Sequence, residues 1–242
     1  MLRFRGVTKR YGAQTVLDDL ELELPLSGVT FIMGPSGAGK SVLGRLAVGL
    51  EFADRGHVEV DGVRLDGLSE RALRPRRARL GYLTQSPALL DWLSLRENVA
   101  LGPQRVHRWP RDRALAAADA ALSDVGLSEL AHARPPAVGP GTQKRAAVAR
   151  ALACRPRALV YDEPTTGLDP RSARQLDDLI AFAARRGTAA VVVSHDLVSA
   201  ERTAERVLVL HQGRIGYDGS AQALATSNAP AVRVLREGTS HD

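Results

Sequence analysis

The chain has few of the residues that mark a disulfide-stabilised or membrane-spanning protein. Cys154 is its only cysteine, which excludes an internal disulfide and favours a reducing compartment. Aromatic residues make up 4% of the 242 residues, so a core must be built mainly from Val, Leu and Ala. No apolar run is long enough to cross a bilayer, and no signal-peptide pattern follows Met1. We therefore expect a soluble or peripheral protein.

Lysine is also scarce, although the formal net charge is +6. Lys9, Lys40 and Lys144 are the only lysines, so arginine carries most of the positive charge. Such an excess suits an acidic ligand, a nucleic acid or a membrane face, but a solvated surface is its more common meaning. The arginine run RALRPRRARL (71–80) lacks the interleaved aromatics that stack on single strands. We expect no nucleic-acid partner.

Three short apolar runs with intervening helical patterns indicate a parallel sheet. VTFIM (29–33) leads through a glycine-rich loop into a segment with apolar residues at helical spacing. ALVYD (158–162) and AAVVVS (189–194) are continuously apolar, as parallel strands buried on both faces are. A helical segment at 171–186 separates these two runs. The alternation predicts a doubly wound α/β core.

Two other regions follow different patterns. LRFRGV, LELEL and HVEVDGV, in the first part of the chain, alternate apolar and polar residues. This alternation predicts antiparallel strands that are half exposed to water. Residues 88–135 are rich in Ala and Leu and are interrupted by Pro103 and Pro110, which predicts an inserted helical lobe.

The strongest chemical signal is GPSGAGKS (34–41), which fits the phosphate-binding pattern G-x-x-x-x-G-K-[ST]. Its glycines let the backbone curl so that successive N–H groups point at phosphate oxygens, and the following helix directs its positive end at the same anion. Lys40 would reach the β- and γ-phosphates, and Ser41 would place its hydroxyl on Mg²⁺. The expected ATP-binding residues of this segment are Gly34, Ser36, Gly37, Ala38, Gly39, Lys40, Ser41 and Val42.

A second chemical signal is the acidic pair after the apolar run 158–162. Asp162 and Glu163 would lie at the carboxyl end of a buried strand, the edge at which such sheets bind ligands. Asp162 would hold the water shell of the metal, and Glu163 would orient and deprotonate an attacking water. His195 ends the next apolar run and would reach the same edge. Beside a phosphate loop, these residues predict catalysis.

Five motifs occur in the order seen in ATP-binding cassette ATPases: the phosphate loop, Gln85 in GYLTQSP, the AVARAL helix, YDEPTTGLDP and VSHD. The chain resembles this family over nearly its whole length. The resemblance implies a P-loop NTPase with a RecA-like parallel-sheet core, an N-terminal antiparallel β-subdomain and an inserted α-helical subdomain. The implied boundaries within a single ATPase domain are 1–87 and 145–226 for the core with the β-subdomain, 88–144 for the helical subdomain with its signature loop, and 227–242 for a C-terminal tail.

The resemblance also implies ATP and Mg²⁺ as ligands and gives roles to individual residues. Tyr11 resembles the aromatic residue that stacks on adenine, and Gln85 resembles the glutamine that contacts Mg²⁺ and water. Asp169 resembles the aspartate at the dimer seam. The implied catalytic residues are Glu163, His195 and Lys40, and the implied metal ligands are Ser41, Gln85 and Asp162.

The signature loop of the family usually reads Leu-Ser-Gly-Gly-Gln, and this chain departs from it. Counting back from AVARAL aligns the loop with residues 138–142. Gly139 stands where the family has the serine whose hydroxyl meets the opposing γ-phosphate, and Pro140 removes a backbone donor. The helix N-terminus with Gly141 and Thr142 still carries partial positive charge. We expect Gly139, Gly141 and Thr142 to face the opposing ATP as a weakened tip.

A narrower resemblance points to the ATPases of Mla/Mce-type lipid transport systems. It rests on GKSVLGRLAVGL, on YDEPTTGLDP followed by VVVSHDLVSAERTAERV, and on the ending SNAPAVRVLREG. It implies ATP hydrolysis that energises lipid transport through a transmembrane permease, with Mce-type lipid-binding partners, at the cytoplasmic face of the inner membrane. Family members hydrolyse ATP as head-to-tail dimers, and a homodimer is favoured here over a pairing with a different subunit.

Other functions stay open at this point. SPALLDWLSLRENVAL also resembles the permease-facing segment of nitrate/sulfonate-type importers, which makes their ATPase an alternative. A weakly hydrolysing regulator or clamp without a permease is a second alternative, because the altered signature loop permits slow hydrolysis.

Overall fold

The computed structural model describes residues 1–238. The strands in this range are β1 (Leu2–Tyr11), β2 (Gln14–Leu24), β3 (Val29–Met33), β4 (Arg55–Val60), β5 (Val63–Arg64), β6 (Leu80–Leu83), β7 (Ala158–Asp162), β8 (Ala189–Val193), β9 (Arg206–His211) and β10 (Arg214–Gly219). The helices are α1 (Lys40–Ala47), α2 (Glu70–Arg77), α3 (Leu95–His107), α4 (Arg111–Asp124), α5 (Pro140–Leu152), α6 (Pro170–Arg185), α7 (Leu197–Thr203), α8 (Ala221–Thr226) and α9 (Pro230–Gly238). No helix in this range combines the length and the apolar character that a bilayer crossing requires.

An antiparallel sheet of order β2-β1-β4-β5 forms in the first part of the chain. The alternating sequence of β1 explains why this sheet has one buried face. Leu2 and Phe4 are buried, whereas the alternate residues Arg3 and Arg5 are only partly buried. The buried face packs in one apolar cluster with Leu43 and other residues of α1. The antiparallel β-subdomain predicted from the alternating pattern is therefore confirmed.

The second sheet has the order β10-β9-β3-β8-β7-β6. All neighbouring pairs from β9 to β6 are parallel, and only β10 runs antiparallel at the edge. Every residue of β3 and β8 is buried, as expected for strands covered on both faces. Helix α1 packs on one face and α6 on the other, which confirms the doubly wound α/β core and brings the carboxyl ends of β3, β7 and β8 to one edge.

The region between β6 and β7 is helical. Ser94 and Glu97 form a capping box at the start of α3, in which each side chain accepts a hydrogen bond from the backbone N–H of the other. Small buried residues such as Ala114 and Ala118 of α4 allow α3, α4 and α5 to pack closely. Helix α5 runs across residue 144, where the sequence-based division ends the helical subdomain. The division of the chain at 87 and 144 remains a proposal.

The C-terminal helix α9 packs on the core sheet through its apolar residues. Ala231, Val232 and Leu235 of α9 are buried against β9 and β10. Gly216 makes this packing possible, because a Cβ there would lie 2.5 Å from the Ala231 Cβ. Residues 239–242 of the predicted tail lie outside the described residues.

Candidate active site

The predicted phosphate loop connects the end of β3 to the start of α1, at the carboxyl edge of the parallel sheet. Gly34, Gly37 and Gly39 have φ angles of 153°, 77° and 98°. A Cβ on Gly34 would lie 2.4 Å from the Leu210 carbonyl oxygen, so the loop needs glycine at this position. The glycines thus give the tight backbone curvature that a phosphate cradle requires.

The other predicted contacts of this loop differ in exposure. Ser36 is exposed at the tip, and Ala38 closes the turn by donating its backbone N–H to the Pro35 carbonyl over 3.2 Å. The Val42 side chain is buried in the apolar cluster beneath the N-terminal sheet. Any contact between Val42 and a nucleotide would therefore be made by its backbone.

Lys40 points its ammonium back over the phosphate loop. The Nζ atom donates hydrogen bonds to the Gly34 carbonyl over 2.8 Å and to the Pro35 carbonyl over 3.1 Å. Burial lowers the pKa of this ammonium, while the nearby charges of Glu163 and Asp162 raise it. No described carboxylate lies within ion-pair distance of Nζ, so the charge has only carbonyl partners. An anionic phosphate in the loop would supply the missing counter-charge.

Asp162 ends β7 and is held by two hydroxyl groups. Ser41 Oγ donates to Asp162 Oδ1 over 2.8 Å, and the Tyr82 hydroxyl donates to Oδ2 over 2.6 Å. Hydroxyl and carboxylate oxygens are the hard ligands that Mg²⁺ prefers. Ser41 and Asp162 therefore fit a bound Mg²⁺ beside the phosphate loop, as predicted from the sequence.

Glu163 follows directly and occupies a left-handed backbone conformation, with φ at 49°. Its backbone N–H donates to the Val193 carbonyl over 2.8 Å, which ties it to the end of β8. His195 Nδ1 lies 2.9 Å from one Glu163 carboxylate oxygen and 3.1 Å from the other. The Thr166 hydroxyl donates to Oε2 over 3.2 Å. The structure thus brings together Glu163, predicted to deprotonate the attacking water, and His195, predicted to reach the same edge.

Lys144 on α5 holds the turn after Glu163 and was not identified from the sequence. Its Nζ donates to the Pro164 carbonyl over 2.6 Å and to the Thr166 carbonyl over 2.7 Å. The lysine therefore joins the helix that begins at the signature loop to the turn that follows the acidic pair. The only signal for it in the sequence is that lysine is rare in this chain.

Two predicted nucleotide contacts are exposed, and they differ in how they are held. Tyr11 is 46% exposed, and its hydroxyl donates to a carboxylate oxygen of Glu51. Arg45 Nε donates to the other Glu51 oxygen over 2.7 Å.

Gln85 is exposed in the loop after β6 and makes no hydrogen bond with another described residue. The contact of Gln85 with Mg²⁺ remains a prediction, and it is Tyr82, which sequence reasoning missed, that contacts Asp162.

Asp169 caps α6. Its Oδ1 accepts the backbone N–H groups of Arg171 and Ser172, each over 3.0 Å, and its Oδ2 accepts the Ser172 hydroxyl over 2.6 Å. These bonds lower the pKa of the exposed carboxyl. Asp169 therefore has a structural role within one chain, and its place at a dimer seam remains a prediction.

The predicted signature loop forms the start of α5, with Gly139 as N-cap and Pro140 as the first helical residue. No side chain caps this end, and nothing lies within 4 Å of a Cβ built on Gly139. Gly141 packs against α6, where an added Cβ would lie 2.8 Å from Ser172 Oγ. Proline is well suited to this position because it has no N–H to leave unpaired. The N-terminus of the helix is thus formed, while its tip presents fewer hydrogen-bond donors than a loop with serine at residue 139 and a non-proline residue at 140 would.

Comparison with known proteins agrees with the geometry. A family model described as ABC transporter matches residues 17–166. The glutamine transport ATP-binding protein GlnQ of Escherichia coli (strain K12) is 36% identical over 243 residues, which cover 100% of this chain and 99% of GlnQ. The aliphatic sulfonates import ATP-binding protein SsuB 2 of Xanthomonas axonopodis pv. citri (strain 306) is 40% identical over 219 residues, which cover 90% of this chain and 70% of that protein.

A solved structure extends this likeness to three dimensions. It is a dimeric post-hydrolysis state of the ATP-binding cassette MJ0796 bound to ADP and Pi, with a TM-score of 0.79 and 29% identity. The match covers 91% of this chain and 99% of that one. Further relatives are named for glutamate transport and methionine import.

Proposed function

This chain belongs to the ABC transporter family, and from that membership we propose that its ATP hydrolysis, with Mg²⁺ as cofactor, energises the import of a polar amino acid through a membrane permease. ABC ATPases work as dimers with transmembrane permease subunits, and we propose a homodimer held at the cytoplasmic face of the inner membrane by its permease. The observation that carries the substrate class is the likeness to a glutamine transport protein over 100% of this chain.

The first part of the proposed mechanism is binding and charge neutralisation. The phosphate loop would hold the β- and γ-phosphates with its backbone N–H groups, and Lys40 would turn its ammonium from the loop carbonyls towards the γ-phosphate. Ser41 and Asp162 would hold Mg²⁺, which when bound neutralises charge on the phosphate oxygens. Because these groups are preorganised around the loop, little reorganisation is needed when charge develops on the transferred phosphoryl group.

The second part is activation of water by Glu163. One of its carboxylate oxygens would accept a proton from the attacking water, and His195, within hydrogen-bond distance, would hold the carboxylate in orientation. Thr166 fixes Oε2, and Lys144 fixes the turn that follows. These contacts beside the phosphate loop support the roles that we propose for Glu163 and His195.

Lipid transport of the Mla type, expected from the narrower sequence resemblance, has no support among these relatives. They are named for transport of glutamine, glutamate, methionine and sulfonates. The docked α9, which fitted the expected ordered tail, is compatible with either class because it packs on strands of its own core. We therefore include neither lipid as the substrate nor Mce-type proteins as partners.

Import of an aliphatic sulfonate is the second candidate. The identity with the sulfonate import protein is 40%, higher than with the glutamine transport protein, although it extends over fewer residues. The segment SPALLDWLSLRENVAL, in which Trp92 is 68% exposed, also resembles the permease-facing segment of that class. Both candidate substrates are small polar solutes with an acidic group.

Stimulation of the ATPase by substrate distinguishes these classes. The chain is purified with the permease of its own locus and the matching binding protein, reconstituted in liposomes, and tested with glutamine, glutamate, methionine, ethanesulfonate and a phospholipid. We expect an amino acid to stimulate phosphate release and to accumulate inside the liposomes. Stimulation by the sulfonate alone would favour the second candidate, and stimulation by phospholipid alone would contradict both.

The signature loop gives a further prediction for the assembled transporter. Gly139→Ser restores a hydroxyl that can donate to the opposing γ-phosphate, and its Cβ meets open space. One hydrogen bond to a charged group contributes about 1.5–3 kcal/mol, which corresponds to about 10- to 150-fold if it is fully realised at the transition state. We expect hydrolysis to accelerate most when Gly139→Ser is combined with Pro140→Gly, because the proline fixes the loop backbone.

ATPase rates of the wild type, both single variants and the double variant measure this coupling. Gly139→Ala is the matched control, because it adds the Cβ without the hydroxyl and is expected to leave the rate unchanged. Equal rates for all variants would mean that the tip does not limit hydrolysis.

A further inference from the structure

Asp162 is positioned by a residue that no motif identifies. Tyr82 lies on β6 opposite Val160 of the parallel strand β7. Because side chains alternate along a strand, Asp162, two residues after Val160, projects from the same face as Tyr82. The Tyr82 hydroxyl donates to Asp162 Oδ2 over 2.6 Å, while Ser41 donates to Oδ1 over 2.8 Å. Each oxygen of the carboxylate therefore has its own hydroxyl donor.

The Tyr82 ring is tightly confined. A Cβ on Gly44 of α1 would lie 3.3 Å from Tyr82 Cε2, so the absence of a side chain at residue 44 gives the ring its space. A phenol is protonated at neutral pH, so the Tyr82 hydroxyl is available as a hydrogen-bond donor.

A second set of polar contacts connects the predicted adenine contact to α1. Glu51 accepts the Tyr11 hydroxyl and, over 2.7 Å, the Nε–H of Arg45. Arg45 lies on α1 one helical turn after Ser41, on the same helix face. The exposed aromatic residue is thus connected to the helix whose Ser41 donates to the metal-binding carboxylate.

We propose that Tyr82 is a positioning residue that holds the Asp162 carboxylate in the orientation needed for Mg²⁺. This inference rests on the proposed function. Glu51 and Arg45 connect Tyr11 to α1, which carries Ser41, so the base end and the metal end of the nucleotide site are coupled through this helix. The next tyrosine of this sheet, Tyr161, is fully buried with no partner for its hydroxyl among the described residues, which makes it a suitable comparison for Tyr82.

Tyr82→Phe tests the first part, with ATP affinity measured by calorimetry in Mg²⁺ and in EDTA. The variant removes only the hydroxyl. We expect metal-free ATP affinity to equal that of the wild type, while the increase in affinity that Mg²⁺ provides falls about tenfold or more, as for one lost hydrogen bond to a charged group. An unchanged Mg²⁺ effect, or equal losses in both media, would overturn the proposal.

Tyr161→Phe is the matched control, because it removes a hydroxyl without a partner from the adjacent strand. We expect it to leave both affinities unchanged. Thermal unfolding is recorded for each variant to confirm the fold. If the wild type itself binds no ATP in either medium, the proposed function fails; if it binds ATP and only the Tyr82 effect is missing, this inference alone fails.

Glu51→Gln tests the coupling and provides a second route if the Tyr82 variant does not fold. We expect it to reduce the Mg²⁺ effect as well, although its side chain does not contact Asp162. In combination with Tyr82→Phe, the two losses should deviate from additivity by about twofold or more, as connected residues do. Additive losses, or no loss of the Mg²⁺ effect with Glu51→Gln, would contradict the extended network.

Discussion

Glu163→Gln is expected to lower ATP turnover by about 10²- to 10⁴-fold, the usual contribution of a general base, while ATP binding persists. The amide keeps the shape of the side chain and its hydrogen-bonding reach to Thr166 and His195, but it has almost no basicity. The left-handed backbone at residue 163 imposes the same constraint on glutamine as on glutamate. The loss should therefore appear in the rate of phosphate release and not in nucleotide affinity.

Glu201→Gln is a suitable control for this change. Glu201 is exposed on α7, and its side chain makes no hydrogen bond with another described residue. We expect the control to hydrolyse ATP at the wild-type rate in the same assembled complex. Near wild-type hydrolysis by Glu163→Gln would remove this residue from the role of general base.

Lys40→Ala is expected to weaken ATP binding by about 10- to 150-fold, because at least one hydrogen bond between an ammonium and a charged phosphate is lost. The effect on folding should be far smaller. In the absence of phosphate, the ammonium is partly desolvated and bonded only to two carbonyl groups of its own loop. Calorimetric titration with ATP measures the loss, and thermal unfolding measures the stability.

Lys144→Ala is the matched control for binding, because Lys144 is also partly buried and also bonds two backbone carbonyls. Its acceptors lie in the turn after Glu163 and not in the phosphate loop. We expect Lys144→Ala to keep the ATP affinity of the wild type. Equal ATP affinity of Lys40→Ala and the wild type, with the fold intact, would refute the assignment of the phosphate loop.

The parts of the site that follow from local sequence were predictable. The phosphate loop needs glycine at several positions with positive φ, and a Cβ on Gly34 would also lie 2.4 Å from the Leu210 carbonyl oxygen. This requirement fixes the spacing of the glycines, which can be recognised in the sequence. Asp162 and Glu163 were predictable as well, because a continuously apolar run marks the buried strand whose end they occupy. Continuous apolar runs identified the parallel sheet, and apolar–polar alternation identified the antiparallel one.

Contacts between distant segments were not predictable. Tyr82 is 80 residues from Asp162, and its role depends on which strand pairs with β7. Lys144 reaches a turn that is 20 to 22 residues away through the packing of α5. No sequence pattern around Tyr82 distinguishes it from an ordinary core tyrosine, and none around Lys144 distinguishes it from a surface lysine.

The substrate class suggested by the narrow resemblance to lipid transport systems is not supported, because the resemblance rested on segments that do not select the substrate. The segments that suggested it form the phosphate loop, the acidic turn and a helix docked on the core, which all serve the ATPase itself. We propose that substrate choice lies in the membrane partners, so motifs that serve ATP hydrolysis do not identify the substrate. Likeness over the full length of the chain, as to the glutamine transport protein, supports a substrate class better than likeness of these motifs.

ATP turnover at the site made by the phosphate loop, Asp162 and Glu163 is tested most directly by the initial rate of phosphate release from ATP. The assembled transporter is assayed in Mg²⁺ and in EDTA, for the wild type and for Glu163→Gln. We predict release by the wild type in Mg²⁺ that is at least about 10²-fold faster than release by Glu163→Gln and that is abolished by EDTA. Phosphate release at one common rate under all these conditions would contradict hydrolysis at this site.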